Sequence, residues 1–440
     1  MKKSIWKYKK IHMIGVKGVG MTALAEVLLA NGFFVRGSDI QEHFMTDEVL
    51  ARLNVPVTDF SAAHIQGSDA VVHSNAYNAE NNEEMKAAQD AHMPIFSYPE
   101  VVAEFFNAHH GIAVAGSHGK TTTTAMLSHL LQYAERNVIS IVGSKVVNWG
   151  CGAIAGDLKK QDALFVLEAD EYKEAFLNYH PKGAIITNID YDHPDYYRRP
   201  EDYQAAFVKF AASIAPTGFL VIGDSDAALA EIARSAACKV IVMRKDDMAA
   251  FALQTPGEHN QQNANLAYRV ALELGVPAHI ARAGLEDFKG TSRRLEYIGE
   301  SHAAPVFDDY AHHPTEIRAT LGALKAKYPK KRIVAIFQPH TYSRTKALFN
   351  DFAAAFSDAE TVVLAGVYAS AREKKEGSGN GVDMEAMTAM INKKKKKAVF
   401  IEDIAQIPAY IAKRLGADAV AVTLGAGDIW QVGKALVGCT

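Results

Sequence analysis

The chain has 440 residues, 49% of them apolar and 22% charged. That is the balance of a folded globular protein, too long for one hydrophobic core and suited to about three domains. Lys and Arg number 47 against 50 Asp and Glu, a formal net charge of −3, so no global basic field exists to hold nucleic acid or anionic membrane. Cys151, Cys238 and Cys439 are widely separated and form no C-x-x-C, which argues against a disulfide framework or a structural zinc site. No signal-peptide apolar stretch follows the basic Met1–Lys10 segment, and no run reaches the ~18 apolar residues of a membrane span. The expected setting is the reducing cytoplasm.

In chain order, the first predicted strand is Ile11–Ile14. It leads through Gly15-Val-Lys-Gly-Val-Gly20 into a helix whose apolar face is Met21, Leu24, Ala25, Leu28 and Leu29. The glycine pattern is G-x-x-G-x-G, with Lys17 in the place of the second glycine of the dinucleotide fingerprint. It reads as a pyrophosphate cradle or as a structural βα turn. Asp39 ends the next predicted strand, at about the 20-residue distance expected of a ribose-binding acid.

The strand Ile112–Ala115 opens a second such unit. Gly116-Ser-His-Gly-Lys-Thr121 follows it, then a helix with Met126, Leu127, Leu130 and Leu131 on one face. Gly116 and Gly119 let backbone N–H groups approach a phosphate at a helix N-terminus. Lys120 can reach the β- and γ-phosphates, and the Thr121 hydroxyl can ligate Mg²⁺. Val114 stands where the standard P-loop has its first glycine, so only the shortened G-x-x-G-K-T form is present. The next strand, Leu164–Leu167, ends in Glu168-Ala-Asp-Glu171, carboxylates suited to a hard cation. Ala184–Thr187 then leads into Asn188-Ile-Asp-Tyr-Asp-His193. Leu220–Ile222 and Val240–Met243 complete the strands of this unit.

In the last unit, Phe307-Asp-Asp-Tyr-Ala-His-His-Pro314 runs from a strand into a helix with Pro314 at its first position. The strand Ile333–Phe337 precedes Gln338-Pro-His-Thr-Tyr-Ser-Arg-Thr345, and Val362–Leu364 and Val420–Leu424 follow. Histidines and arginine at two strand ends suit anionic ligands. The run Lys393–Lys397 reads as a solvated helix end or loop. Strands alternating with helices imply an α/β protein of parallel sheets, with ligands beyond the strands' carboxyl ends. The expected boundaries are 1–108, 109–290 and 291–440.

Taken together and in order, these segments, with His259-Asn260 and Asn263, resemble the Mur ligase family of ATP-dependent amide ligases from peptidoglycan assembly. Within it the pattern is most similar to the members that add L-alanine. The resemblance implies a Rossmann-like N-terminal UDP-sugar domain, a P-loop-type central ATPase domain and a Rossmann-like C-terminal amino-acid domain. It implies ATP and Mg²⁺ as cofactors, UDP-N-acetylmuramate and L-alanine as substrates, and an acyl-phosphate intermediate.

Carried over residue by residue, Gly18, Val19, Gly20, Asp39 and Ser74 would hold the UDP sugar. Gly116, Ser117, His118, Gly119, Lys120, Thr121 and Thr122 would hold ATP, with Thr121, Glu168 and His193 on the metal. Asn260 and Asn263 would face adenine, and Arg294 and Asp309 the ribose or phosphates. Tyr310, His312, His340 and Arg344 would meet the substrates, with Lys120, His193, His312 and Arg344 as the catalytic set. Four positions depart from the alanine-adding pattern. Thr341 replaces a usual Arg, Tyr172 a usual Ser, and Ser117 a commoner Thr. Val208 occupies the place where several relatives carbamylate a lysine, with Lys209 one position off. The alternative within the family is ligation of a whole murein tripeptide. A nicotinamide oxidoreductase and a P-loop switch ATPase are the alternatives outside it.

Overall fold

A computed structural model describes residues 3–223, 227–369, 381–393 and 397–438. Cys439 and residues 394–396 of the lysine run lie outside the described residues. Lys393 ends a helix and Lys397 opens a strand.

The chain divides into two compact units. One comprises Met1–Asp190, Gln204–Ala252 and Asn263–Lys289; the other comprises Tyr191–Tyr203, Leu253–Gln262 and Gly290–Thr440.

The first unit holds two sheets. The N-terminal sheet contains β1 (Lys10–Ile14), β2 (Phe34–Ser38), β3 (Val57–Thr58), β4 (Ala70–His73) and β5 (Ile95–Ser97), all parallel, in the order β3-β2-β1-β4-β5. The strand order reverses beside β1, and the Gly15–Gly20 loop leaves that strand at the switch point, where such sheets bind ligands. The second sheet contains β6 (His110–Ala115), β7 (Val138–Val146), β8 (Cys151–Ala155), β9 (Leu164–Glu168), β10 (Gly183–Ile186), β11 (Phe219–Gly223) and β12 (Lys239–Met243). Its order is β12-β11-β10-β6-β9-β7-β8, antiparallel only at β7–β8. Here β6 is the switch strand, and Gly116 leaves its carboxyl end.

The continuous apolar runs of β6 and β10 are buried on both faces, as strands covered by helices must be. The helix Lys120–Tyr133 is buried along most of its length. The helix Tyr98–Ala108 starts on a capping box, Ser97 with Glu100, and buries Val101, Val102, Phe105 and Phe106. Asn31 ties the two sheet regions together. Its amide donates to the Gly156 carbonyl at 3.0 Å and accepts from Leu158 N at 2.8 Å.

The second unit holds β13 (Glu296–Ser301), β14 (Ala304–Asp309), β15 (Arg332–Phe337), β16 (Thr361–Ala365), β17 (Lys397–Ile401) and β18 (Ala419–Leu424). Their order is β13-β14-β18-β15-β16-β17, with β13–β14 antiparallel. Two apolar clusters cover its faces, one around Phe307, Phe337 and Phe352, the other around Ile336, Ile407 and Leu436.

All nine strands expected from apolar runs are present, although β10 stops at Ile186 and leaves Thr187 in the loop. The strand expected to end at Asp39 is β2, which stops at Ser38. The sequence reading named none of β3–β5, the β7–β8 hairpin, β13 or β17.

Candidate active site

The loop after β6 is shaped by two glycines in the left-handed region. Gly116 has φ +128°, and a Cβ there would meet the Thr187 hydroxyl at 2.1 Å. Gly119 has φ +81°, and its Cβ would meet Asn263 Oδ1 at 2.6 Å. Only glycine fits either place. The Thr187–Asp190 segment buttresses this loop from the side. Thr187 Oγ1 and Asn188 Nδ2 donate to the His118 carbonyl at 2.6 and 3.0 Å, and Asn188 Oδ1 accepts from His118 N at 3.0 Å. Ser117 Oγ accepts from Asp190 N at 2.7 Å and donates to the Asp190 carbonyl at 2.7 Å. The Thr-Asn-Ile-Asp motif thus holds the glycine loop in shape.

Lys120 opens the helix, its ammonium folded back over the loop. Nζ donates to the Gly116 carbonyl at 2.6 Å and lies 2.9 Å from Glu171 Oε2. Burial works against its charge, but Glu171 and then Asp170 outweigh that and hold the ammonium above its ordinary range. Thr121 donates to Glu168 Oε1 at 2.9 Å, and Glu168 Oε2 accepts from Gly143 N at 2.9 Å. Thr122 is buried in the same helix turn.

This donor set fits the group the sequence implies. Two positive-φ glycines form a cradle with no room for a Cβ, a charged lysine lies across it, and a hydroxyl sits against a carboxylate. Polyphosphate with a hard, oxygen-preferring cation matches that chemistry.

At the N-terminal sheet, Gly18 caps the helix that Val19 and Gly20 begin, and a Cβ on Gly20 would run into the Tyr98 ring at 2.9 Å. Asp39 steadies the same loop. Its Oδ2 accepts from Lys17 N at 2.7 Å and its Oδ1 from Ile40 N at 2.8 Å. Ser74 and Tyr77 crowd Gly15, where a Cβ would lie 2.8 Å from the Ser74 hydroxyl. Burial, then the charge of Asp39, pushes the Tyr77 phenol up to about 12.

The second unit gathers the histidine- and arginine-bearing loops. Arg344 is buried and forks onto Asp192, Nε to Oδ1 at 2.9 Å and Nη2 to Oδ2 at 3.2 Å, while Nη1 donates to the His340 carbonyl at 2.8 Å. Burial would raise the Asp192 carboxyl, but Arg344, His193 and His312 hold it well below the usual carboxylate range. His193 adjoins that carboxylate, with its own N–H donated to Asp192 Oδ1 at 2.7 Å.

Burial drives His312 down to about 3 against the pull of Glu316, with Arg344 lowering it further. Its Nδ1 lies 3.0 Å from the Tyr310 carbonyl, which can only accept. Nδ1 therefore carries the proton in this assignment, and Nε2 presents a lone pair. Tyr310 lies under both Arg293 and Arg294, at 5.1 and 5.0 Å from guanidinium carbon to ring centre. The His340 ring stacks on Tyr368. Asn260 donates to the Pro256 carbonyl at 2.8 Å. Both oxygens of Asp309 accept from the protein: Oδ2 from Leu295 N (2.8 Å) and Thr320 Oγ1 (3.1 Å), Oδ1 from Ala311 N (2.8 Å). Burial pushes that carboxyl up to about 6.

Glu171, read from sequence only within a cluster of carboxylates suited to a cation, pairs with Lys120, and Asp192, given no role from sequence, pairs with Arg344.

Three family models match in succession: "Mur ligase family, catalytic domain" over residues 10–110, "Mur ligase middle domain" over 114–266, and "Mur ligase, glutamate ligase domain" over 293–427. The chain belongs to the Mur ligase family and is an ATP-dependent ligase. Its curated relatives include proteins named UDP-N-acetylmuramate–L-alanine ligase. That of Desulfitobacterium hafniense is 39% identical over 452 residues, covering 97% of this chain and 99% of the relative. That of Clostridium kluyveri is 38% identical over 457 residues, covering 97% and 98%. Among solved structures, the UDP-N-acetylmuramate–alanine ligase of Thermotoga maritima superposes with a TM-score of 0.79 at 26% identity over 98% of both chains. A murein peptide ligase of Psychrobacter arcticus gives 0.72 at 25% identity over 98% of both.

Proposed function

We propose that this chain joins L-alanine to UDP-N-acetylmuramate, driven by ATP, in the cytoplasmic assembly of peptidoglycan precursor. The observation that carries the reading is the cradle after β6, with Lys120 charged across it. The curated relatives, similar over nearly their whole length, support the choice of amine. We assign the UDP sugar to residues 1–108, ATP to 109–290 and the amino acid to 291–440.

Joining a carboxylate to an amine is uphill in water, so the carboxylate must first be activated. One of its oxygens takes the γ-phosphoryl group as the bond to ADP breaks, giving an acyl phosphate. The amine nitrogen then attacks the carbonyl carbon, and phosphate leaves with the former carboxylate oxygen. Lys120 screens the repulsion between γ-phosphate and carboxylate. Thr121 and Glu168 would hold Mg²⁺, which when bound supplies further positive charge to the phosphates. Asn263 and Asn260 would face adenine, and Arg294 the ribose or phosphates, with Asp309 fixing the loop beside it. His312, kept neutral by burial, presents the Nε2 lone pair as a hydrogen-bond acceptor for the attacking amine. Arg344 would bind the amino-acid carboxylate.

Isotope transfer tests the route. With ¹⁸O in the sugar's carboxylate, one labelled oxygen must appear in the released phosphate. Unlabelled phosphate alongside ligated product would contradict it.

A further inference from the structure

Arg344 sits on a short helix, Tyr342–Ala347, with a long stem and no second arginine on that helix. A guanidinium recognises a carboxylate through a pair of parallel N–H groups, so its orientation decides whether it recognises one at all. The hydrogen-bond arithmetic here is specific. Of five N–H groups, Nε–H and one on Nη2 go to Asp192, and one on Nη1 goes to the His340 carbonyl. One N–H remains on each terminal nitrogen.

Asp192 is itself fixed. It is buried at 4% exposure, and its Oδ1 accepts the His193 N–H at 2.7 Å as well as Arg344 Nε. It grips the side of the fork, the Nε/Nη2 edge. The residue whose carbonyl takes the Nη1 hydrogen bond, His340, has its ring 6.3 Å from the His312 ring. A carboxylate docked on Arg344 would bring its amine toward these imidazoles.

We propose that Asp192 is the positioning residue for Arg344: it clamps the Nε/Nη2 edge of the guanidinium so that the two remaining N–H groups, one on each terminal nitrogen, are held in fixed directions for the carboxylate of the incoming amino acid. The inference rests on the reading that Arg344 binds that carboxylate. Asp192 touches no substrate. It makes a flexible cation into an oriented one, and because the ion pair is net neutral, binding then depends on the direction of the two remaining N–H groups more than on charge.

Steady-state kinetics on the full chain test this with Arg344→Ala and Asp192→Asn. Both should raise the KM for L-alanine on the order of tenfold or more while the KM for ATP stays within about twofold. Asp192→Glu keeps the charge but displaces the clamp by one methylene, and should fall between wild type and Asp192→Asn. Guanidinium ion added to Arg344→Ala should restore part of the lost turnover, and that rescue should vanish when Asp192→Asn is added. A merely structural Asp192 would not gate rescue by a free ion. An unchanged KM for L-alanine in Arg344→Ala overturns both the carboxylate assignment and this inference. A raised KM in Arg344→Ala with an unchanged one in Asp192→Asn, or rescue that persists without Asp192, overturns the inference alone.

Discussion

At Lys120 a buried ammonium is held charged by Glu171 across the glycine loop. Replacing it with alanine removes a charge aimed at the phosphates, and losing such a contact costs ~10²–10³ in rate. Lys120→Ala should fold with an unchanged circular dichroism spectrum and lose turnover by that factor. The oxygen donors of Thr121 and Glu168 predict that a chelator abolishes ligation and that Mg²⁺ or Mn²⁺ restores it. A requirement for zinc alone would contradict that donor set.

His312 gives a pH prediction. Its folded pKa of about 3 lies below that of an unfolded histidine, about 6.5. Between those values the unfolded chain binds a proton that the folded chain does not, so stability falls as pH drops through that window. Thermal midpoints at pH 7 and pH 5 should differ less in His312→Asn than in wild type. Lys120, Thr121 and Glu168 were legible in the sequence because a phosphate loop is local and its spacing is visible. The pairings of Glu171 and Asp192 were not legible because their partners lie 51 and 152 residues away. Asp309 was read as a ligand-facing acid, and its environment is legible only from the fold, which surrounds it with three protein donors.

Among the elements, the helix Lys120–Tyr133 depends on Gly119 at its N-cap, with φ +81°. Alanine there adds left-handed strain of ~1–2 kcal/mol and drives a methyl group into Asn263. Gly119→Ala should lower the thermal midpoint and weaken ATP binding together, as calorimetry would show. The cap of Tyr98–Ala108 is a second case. Ser97→Ala should cost about 0.5–2 kcal/mol in denaturant titration. Most strands that the sequence disclosed are continuous apolar runs buried on both faces, with the edge strand β12 the more exposed one. Those it hid are short or polar. β3 has two residues, β13 carries Glu296, Glu300 and Ser301, and β7 ends in Gly143-Ser144-Lys145-Val146. Their pairing comes from neighbouring strands and not from their own composition.

Across the whole molecule, chemistry collects at the carboxyl ends of parallel strands. Gly15 follows β1, Gly116 follows β6, Glu168 ends β9, Thr187 follows β10 and Gln338 follows β15. That rule connects a strand pattern read from sequence to the places where side chains can act. The motifs far apart in the chain were readable as one enzyme because, in order, they resemble the Mur ligase family. The amine substrate is less legible, since Thr341 and Tyr172 both depart from the alanine-adding pattern. The most direct measurement supplies the enzyme with ATP and UDP-N-acetylmuramate and offers each amino acid, and separately the murein tripeptide, scoring phosphate release and product mass. The account predicts phosphate release matched by the mass of the L-alanyl product, with glycine and L-serine weaker. Preferential ligation of the tripeptide, or ATP turnover with no ligated product, would contradict it.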